Sequence, residues 1–143
     1  MKQGQDYHFE IELEVRDYEC DIQGIVNNAV YQNYLEYCRH KFLNKVGVSF
    51  ADLHNDGIDA VVIRAELDYK FPLRPEDSFF VRLKMAKHGR LRIIFKQQVI
   101  RKADEKLMVD ARITTVLTRN GRPVSPDFLE EQFLKSGIVP EED

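Results

Sequence analysis

The stretch from Asn28 to Val46, NAVYQNYLEYCRHKFLNKV, decides the fold. Its apolar residues Val30, Tyr31, Tyr34, Leu35, Cys38, Phe42 and Val46 recur every three or four positions, which lays them in one stripe along a helix. Asn27 or Asn28 is suited to cap the first turn, because a side-chain oxygen there can accept an unpaired backbone N–H, and Gly47 is suited to end the last. On either side of this helix the period drops to two. Upstream, Phe9, Ile11, Leu13 and Val15 alternate with Glu10, Glu12, Glu14 and Arg16, which predicts a half-buried strand over 9–16. Downstream of a loop at Asn55-Asp56-Gly57, Val61, Ile63, Ala65, Leu67 and Tyr69 alternate with Val62, Arg64, Glu66 and Asp68. Pro72 and Pro75 then demand a bend or an edge.

Three further strands follow the same rule. Phe79, Val81, Leu83 and Met85 face away from Arg82 and Lys84, and Gly89 marks the reversal. Leu91, Ile93, Phe95 and Val99 oppose Arg92, Lys96 and Gln98; Val109, Ala111 and Ile113 oppose Asp110, Arg112 and Thr114 before the turn at Asn120-Gly121. Residues 125–136 predict a short helix starting near Ser125 or Asp127. An antiparallel sheet with one apolar face needs one covering layer, and the helix over 28–46 is the only element long enough to supply it. The expected class is therefore α+β, with one long central helix wrapped by a curved antiparallel sheet of about five strands and a short C-terminal helix. Residues 1–143 read as a single domain without repeats or linkers, and a chain of that length buries roughly two-thirds of its extended surface without staples.

Composition narrows the task. With 21 Lys+Arg against 24 Asp+Glu the formal charge is −3, without the basic excess that phosphate-backbone binding requires. Cys20 and Cys38 are too few for a disulfide scaffold and stand at no zinc-binding spacing, so a reducing compartment is expected. The run Met1-Lys2-Gln3-Gly4-Gln5-Asp6 has no signal-peptide core, and no stretch approaches the ~20 apolar residues of a membrane span. A cytoplasmic location is the expectation. No GxSxG elbow, phosphate loop, GxGxxG or HExxH motif occurs, and His8, His40, His54 and His88 are scattered, so neither a metal nor an organic cofactor is expected.

The chemistry concentrates where the first strand joins the long helix, at Asp21-Ile22-Gln23-Gly24-Ile25-Val26-Asn27-Asn28-Ala29-Val30-Tyr31. A carboxylate just ahead of a helix start stands beside unpaired N–H groups at the positive end of the helix dipole. The same N–H groups can polarise a carbonyl oxygen, so the pair forms a minimal acyl-hydrolysis site in which the carboxylate attacks or activates water and the helix end holds the oxyanion. The plainer alternative is that Asp21 and Gly24 merely shape a turn.

The run Asp21-x-x-Gly24-Ile25-Val26-Asn27-Asn28-Ala29-x-Tyr31-x-x-Tyr34-x-Glu36-x-x-Arg39 resembles the signature of hot-dog-fold acyl-CoA thioesterases of the 4-hydroxybenzoyl-CoA thioesterase-like group. Arg64-Ala65-Glu66-Leu67-Asp68-Tyr69 with Pro72-Leu73-Arg74 and Asp77 resembles that family's second strand and bend, and the likeness covers nearly the whole chain. The resemblance implies a hot-dog fold and hydrolysis of an acyl-CoA thioester to free acid and CoA. It puts the catalytic carboxylate on Asp21, as nucleophile or general base, and the carbonyl-polarising backbone N–H at Asn28, where one branch of the family carries histidine instead.

The resemblance also implies substrate contacts at Gly24, Val26 and Tyr31, although Tyr31 and Tyr34 lie on the apolar stripe and suit packing. Glu36 matches the position where another branch has its carboxylate, and is an auxiliary candidate; a salt bridge to Arg39 or His40 at helical spacing is its alternative role. Lys87, His88 and Arg90 around Gly89 resemble a basic reversal that contacts the CoA nucleotide, or form a solvated turn. A homodimer with sites at the subunit boundary, often paired into a tetramer, is further implied. Acyl carrier protein thioesters and a non-catalytic acyl-binding module are the alternatives; an acyl hydratase is disfavoured because no histidine lies between His8 and His40.

Overall fold

The computed structural model describes residues 6–143, so the first five positions of the N-terminal run fall outside the described residues. The chain runs through β1 (Phe9–Glu14), α1 (Asn28–Lys45), α2 (Phe50–Asn55), β2 (Ile58–Tyr69), β3 (Ser78–His88), β4 (Arg92–Arg101), β5 (Leu107–Arg119), β6 (Arg122–Val124), α3 (Asp127–Lys135) and β7 (Glu141–Glu142). The long strands pair antiparallel in the order β1-β3-β4-β5-β2, with β6 on β5 and β7 running parallel to β3. This is the hot-dog arrangement, with α1 in the concave face of a curled sheet.

Asn27 is the cap that the sequence left open between two asparagines: its Oδ1 accepts from the Ala29 N–H at 3.0 Å. At the other end Gly47 takes a φ of +84°, and a Cβ there would lie 2.9 Å from Gln132 Nε2. That amide instead donates to the Val46 carbonyl at 2.7 Å, tying the end of α1 to α3. Tyr31, Tyr34, Leu35, Cys38, Phe42 and Leu43 are the buried face of α1. They meet Phe79, Val81, Leu83 and Met85 of β3, Ile93, Phe95 and Val99 of β4, and Val109, Ala111, Ile113 and Leu117 of β5 in one cluster. The Cys38 thiol lies within it, and burial pushes its pKa up to about 12, which keeps it a thiol.

Several expectations need correction. Residues 50–55 form α2, too short for a legible period but capped by Ser49, whose Oγ accepts from the Asp52 N–H at 3.2 Å. Leu91, expected on the inner face, is exposed at the β3–β4 reversal. Gln97 stands in the apolar row of β4 and is fully buried. The outer face is not uniformly charged, since Ala86, Ile94, Ile100 and Val116 are buried outside the main cluster. The largest departure is β2. It begins at Ile58, and from Asp59 to Glu66 it is exposed on both faces, because it lies at the edge of the sheet that α1 does not cover.

The C-terminal segment lies against the outer face. Glu141 reaches Lys84 at 2.6 Å and Lys96 at 3.5 Å, while Asp143 reaches Lys96 at 3.4 Å, His88 at 3.1 Å and the Arg112 guanidinium. The hydrogen bond from Arg112 holds the Asp143 carboxyl well below the ordinary carboxylate range, and Lys84 lowers Glu141 in the same sense.

Two outcomes are expected from this packing. Leu35→Ala, at a fully buried site, should lower unfolding stability in urea by about 2–5 kcal/mol, whereas Leu91→Ala should change it by less than about 1 kcal/mol. Carboxylates with depressed folded-state pKa values stabilise above their unfolded values of 3.8 and 4.5 and lose that contribution as pH falls through the lower folded values. A Glu141→Gln/Asp143→Asn variant should therefore show a shallower fall of Tm than the unmodified chain between about pH 4.5 and 2.

Candidate active site

The segment between β1 and α1 is held by its own backbone. Arg16 N–H donates to Glu19 Oε1 at 2.9 Å, Cys20 and Val26 form an antiparallel bridge, and Asn27 N–H donates to the Glu19 carbonyl at 3.0 Å. Val26 N–H donates to the Leu73 carbonyl at 2.9 Å, anchoring this segment to the bend after β2. Tyr34 O–H, on the second turn of α1, donates to Glu19 Oε1 at 2.7 Å. Burial and this bond to a carboxylate raise the Tyr34 pKa, so the phenol stays a donor. Glu19 thus fixes the segment to the helix; its place in a polar loop gave no sign of that role.

Asp21 stands at the tip of the resulting loop. Its N–H donates to the Ile25 carbonyl at 2.9 Å, its own carbonyl accepts from Gly24 N–H at 3.0 Å, and its Oδ1 accepts from Gln23 N–H at 2.8 Å. The turn-shaping role read from the sequence is therefore real. It occupies one carboxylate oxygen; Oδ2 makes no hydrogen bond among the described residues. Gly24 has a φ of +75° and nothing within 4 Å of where a Cβ would stand. Tyr18 and Ile22 on either side are largely and fully exposed, two apolar side chains offered to solvent around the carboxylate.

The start of α1 carries the complementary group. Ala29 N–H is taken by the Asn27 side chain and Val30 N–H by the Asn27 carbonyl, whereas Asn28 N–H has no partner among the described residues. Tyr69 O–H donates to the Asn28 carbonyl at 3.3 Å, which fixes the first turn against the end of β2. Val26 and Tyr31 are buried to 1% and 2% exposure, and Tyr31 Oη accepts from Leu73 N–H at 3.0 Å. Within one chain they build the wall behind the site and present no face to a ligand.

The remaining candidates lie apart. Glu36 is exposed between two cavities of about 340 and 440 Å³, and neither Arg39 nor His40 pairs with it. Arg39 turns inward instead, its Nη1 donating to Gln97 Oε1 at 2.9 Å, and His40 packs on Phe50 with ring centroids 4.9 Å apart. Around Gly89, Lys87 pairs with Glu130 at 3.0 Å and His88 with Asp143 at 3.1 Å, which leaves Arg90 exposed. Among the described residues no cluster of His, Cys, Asp or Glu is arranged to hold a metal ion, and no helix is long and apolar enough to cross a membrane.

Comparison with known proteins gives the family and the fold. The model of the thioesterase-like superfamily matches residues 15–133. The chain is 36% identical over 135 residues to the acyl-acyl carrier protein thioesterase ATL3 of Arabidopsis thaliana, covering 92% of this chain and 70% of that protein. To the ATL2 protein of the same plant it is 33% identical over 111 residues, which span 78% of this chain but only 59% of that one. Among solved structures, a hypothetical protein from Aquifex aeolicus superposes with a TM-score of 0.81 at 29% identity, covering 87% of this chain and 98% of that one. From residue 15 to residue 133, with α1, strands β2 to β6 and the carboxylate loop inside the match, the chain belongs to the thioesterase-like superfamily and carries its hot-dog fold.

Proposed function

We propose that this protein is a thioester hydrolase in which Asp21 is the reacting carboxylate and the Asn28 N–H holds the thioester oxygen. The observation that carries the reading is the unpaired Asn28 N–H at the positive end of an 18-residue helix, directly after a rigid loop that displays a carboxylate. In the nucleophilic form, an Asp21 carboxylate oxygen bonds to the thioester carbon, the C–S bond breaks and the thiolate leaves. Water then hydrolyses the mixed anhydride to the free acid and restores the carboxylate. In the general-base form, Asp21 takes a proton from the water that attacks the same carbon, the C–S bond breaks, and the proton passes to the departing thiolate. In both, negative charge develops on the carbonyl oxygen, where a helix-terminal donor stabilises it more in the transition state than in the ground state. Glu36 is kept as the auxiliary carboxylate.

The substrate proposed is an acyl-CoA, with the exposed Arg90 as the free cation for its nucleotide end and Lys87 and His88 available only by exchange from their present carboxylate partners. An acyl carrier protein thioester is the second reading, favoured by the two plant relatives, which are acyl-acyl carrier protein thioesterases. A homodimer is proposed on a physical ground as well. The 12-residue strand β2 pairs only with β5 and exposes three consecutive apolar residues, Val61, Val62 and Ile63, at the edge of the sheet. A second copy of the chain would cover that edge, and pairing of dimers into a tetramer is the extension the family resemblance suggests.

Asp21→Asn should lower kcat by about 10²-fold or more with little change in KM, read as thiol release over short, long and aromatic acyl-CoAs alongside an acyl carrier protein thioester. Undiminished turnover in the variant would sink the assignment. Ile63→Lys should convert the dimer to a monomer in sedimentation and remove most of the activity with it; an active monomer would contradict a site completed by two chains.

A further inference from the structure

One edge of β3 is shared by two strands. β1 pairs with it from Ser78 to Leu83, where His8 N–H also donates to the Leu83 carbonyl at 2.8 Å, and β7 pairs with it at Ala86 and Lys87. The Met85 N–H falls in the gap between them, on a residue buried to 1% exposure that neither strand pairs with. His8 fills the gap, its Nδ1 accepting from Met85 N–H at 3.0 Å. With Nδ1 accepting, the ring proton stands on Nε2, and the Val139 backbone is its hydrogen-bond partner. One imidazole therefore joins β3 to the segment that runs from Val139 into β7.

That segment covers a row of cations. Lys84, Lys96 and Arg112 stand directly opposite one another on β3, β4 and β5, which sets three like charges side by side on the outer face. Glu141 lies over Lys84 and Lys96, and Asp143 over Lys96 and Arg112, so the segment supplies the carboxylates that the row needs. Asp6 adds one to Lys84 at 2.5 Å, and Glu66 stands 3.9 Å from Arg112. The backbone hold on the segment is short: β7 has two residues, Pro140 has no N–H to give, and Asp143 N–H donates to the Lys87 carbonyl at 2.9 Å. Its retention depends on the ion pairs and on His8.

The ring accepts from Met85 only while it is neutral. A protonated imidazole donates from both nitrogens, so charging His8 sets two N–H groups against each other and strips a buried amide of its acceptor. The charged groups that face the ring are Glu141 on β7, Lys84 on β3 and Asp6 just upstream. Burial lowers the His8 pKa from its ordinary 6.5 and Lys84 acts in the same sense, against Glu141, the Val139 backbone and Asp6. A histidine depressed in this way stabilises the neutral arrangement fully above pH 6.5, and that contribution is lost as pH falls through the lower folded value. Asp6, Glu141 and Asp143, all held below their ordinary 3.8 to 4.5, stay charged meanwhile. His88 acts the other way, because protonation strengthens its contact with Asp143.

We propose that the segment from Val139 to Asp143 is an acid-released strap over the cation row, latched by the neutral His8 imidazole. Release leaves Lys84, Lys96 and Arg112 facing solvent on the side of the sheet away from α1, so the outer face turns cationic. The device involves none of the residues of the proposed thioester site.

Amide nitrogen relaxation of the full chain, followed by NMR from neutral to mildly acid solution, tests this. The heteronuclear NOE of the Glu142 and Asp143 amides should match that of β3 at about pH 7.5 and fall by about half or more at about pH 5, with the midpoint of the His8 ring titration. His8→Asn, whose Oδ1 can stand where Nδ1 does and accept from Met85 without titrating, should keep the strap ordered at both ends of the range. His88→Asn should leave the midpoint where it is. A strap as ordered at the acid end as at the neutral end, loosening that follows the His88 ring instead, or undiminished acid loosening in His8→Asn would each overturn the proposal. Should His8→Asn fail to fold, the strap's curve set against the two ring titrations decides alone.

Discussion

The structure depends on one burial: the apolar stripe of α1 pressed into the concave face of a single sheet. Each large side chain removed from water there contributes on the order of 1.5–3 kcal/mol, and six residues of the helix are buried together. No other element is long enough to cover β3, β4 and β5. The helix must therefore enter the sheet at a fixed place and angle, and everything upstream is arranged to deliver it. Glu19 does so by three contacts, accepting from Arg16 N–H and Tyr34 O–H through its side chain and from Asn27 N–H through its carbonyl. The loop that carries Asp21 is consequently a rigid by-product of starting the helix correctly, and the unpaired Asn28 N–H is the remainder that capping by Asn27 does not use.

The same burial explains what is left uncovered. α1 satisfies the middle of the sheet and leaves β2 as an edge whose apolar residues face solvent, together with the exposed Tyr18 and Ile22 around the Asp21 loop. These exposed apolar groups are the surface that the proposed second copy would cover. Burial of α1 also leaves a cavity beside the helix whose one desolvated cation is held by a neutral amide.

Much of this was legible in the sequence because two periods of different length alternate along it. The helix bounds, four of the inner rows and the location of the carboxylate loop followed from spacing, since a stripe that must be buried cannot be disguised. Three things did not follow. The pairing of β2 at an edge depends on strand order, which alternation within a strand does not encode, so Val61 and Ile63 read as core. The buried place of Gln97 did not follow because its partners, the Leu35 carbonyl and Arg39, are 62 and 58 residues away in the chain. Glu36 stands at helical spacing from Arg39, but the arginine donates to the buried Gln97 amide instead.

The central claim is that an acyl carbonyl sits on the Asn28 N–H within reach of Asp21. A crystal structure of the Asp21→Asn variant with a non-hydrolysable acyl-CoA analogue measures this directly. The expected result has the acyl oxygen at hydrogen-bond distance, roughly 3 Å, from Asn28 N with the residue 21 side chain facing the acyl carbon. An acyl carbonyl bound beside Glu36, or anywhere that leaves the Asn28 N–H unpaired, would contradict the account.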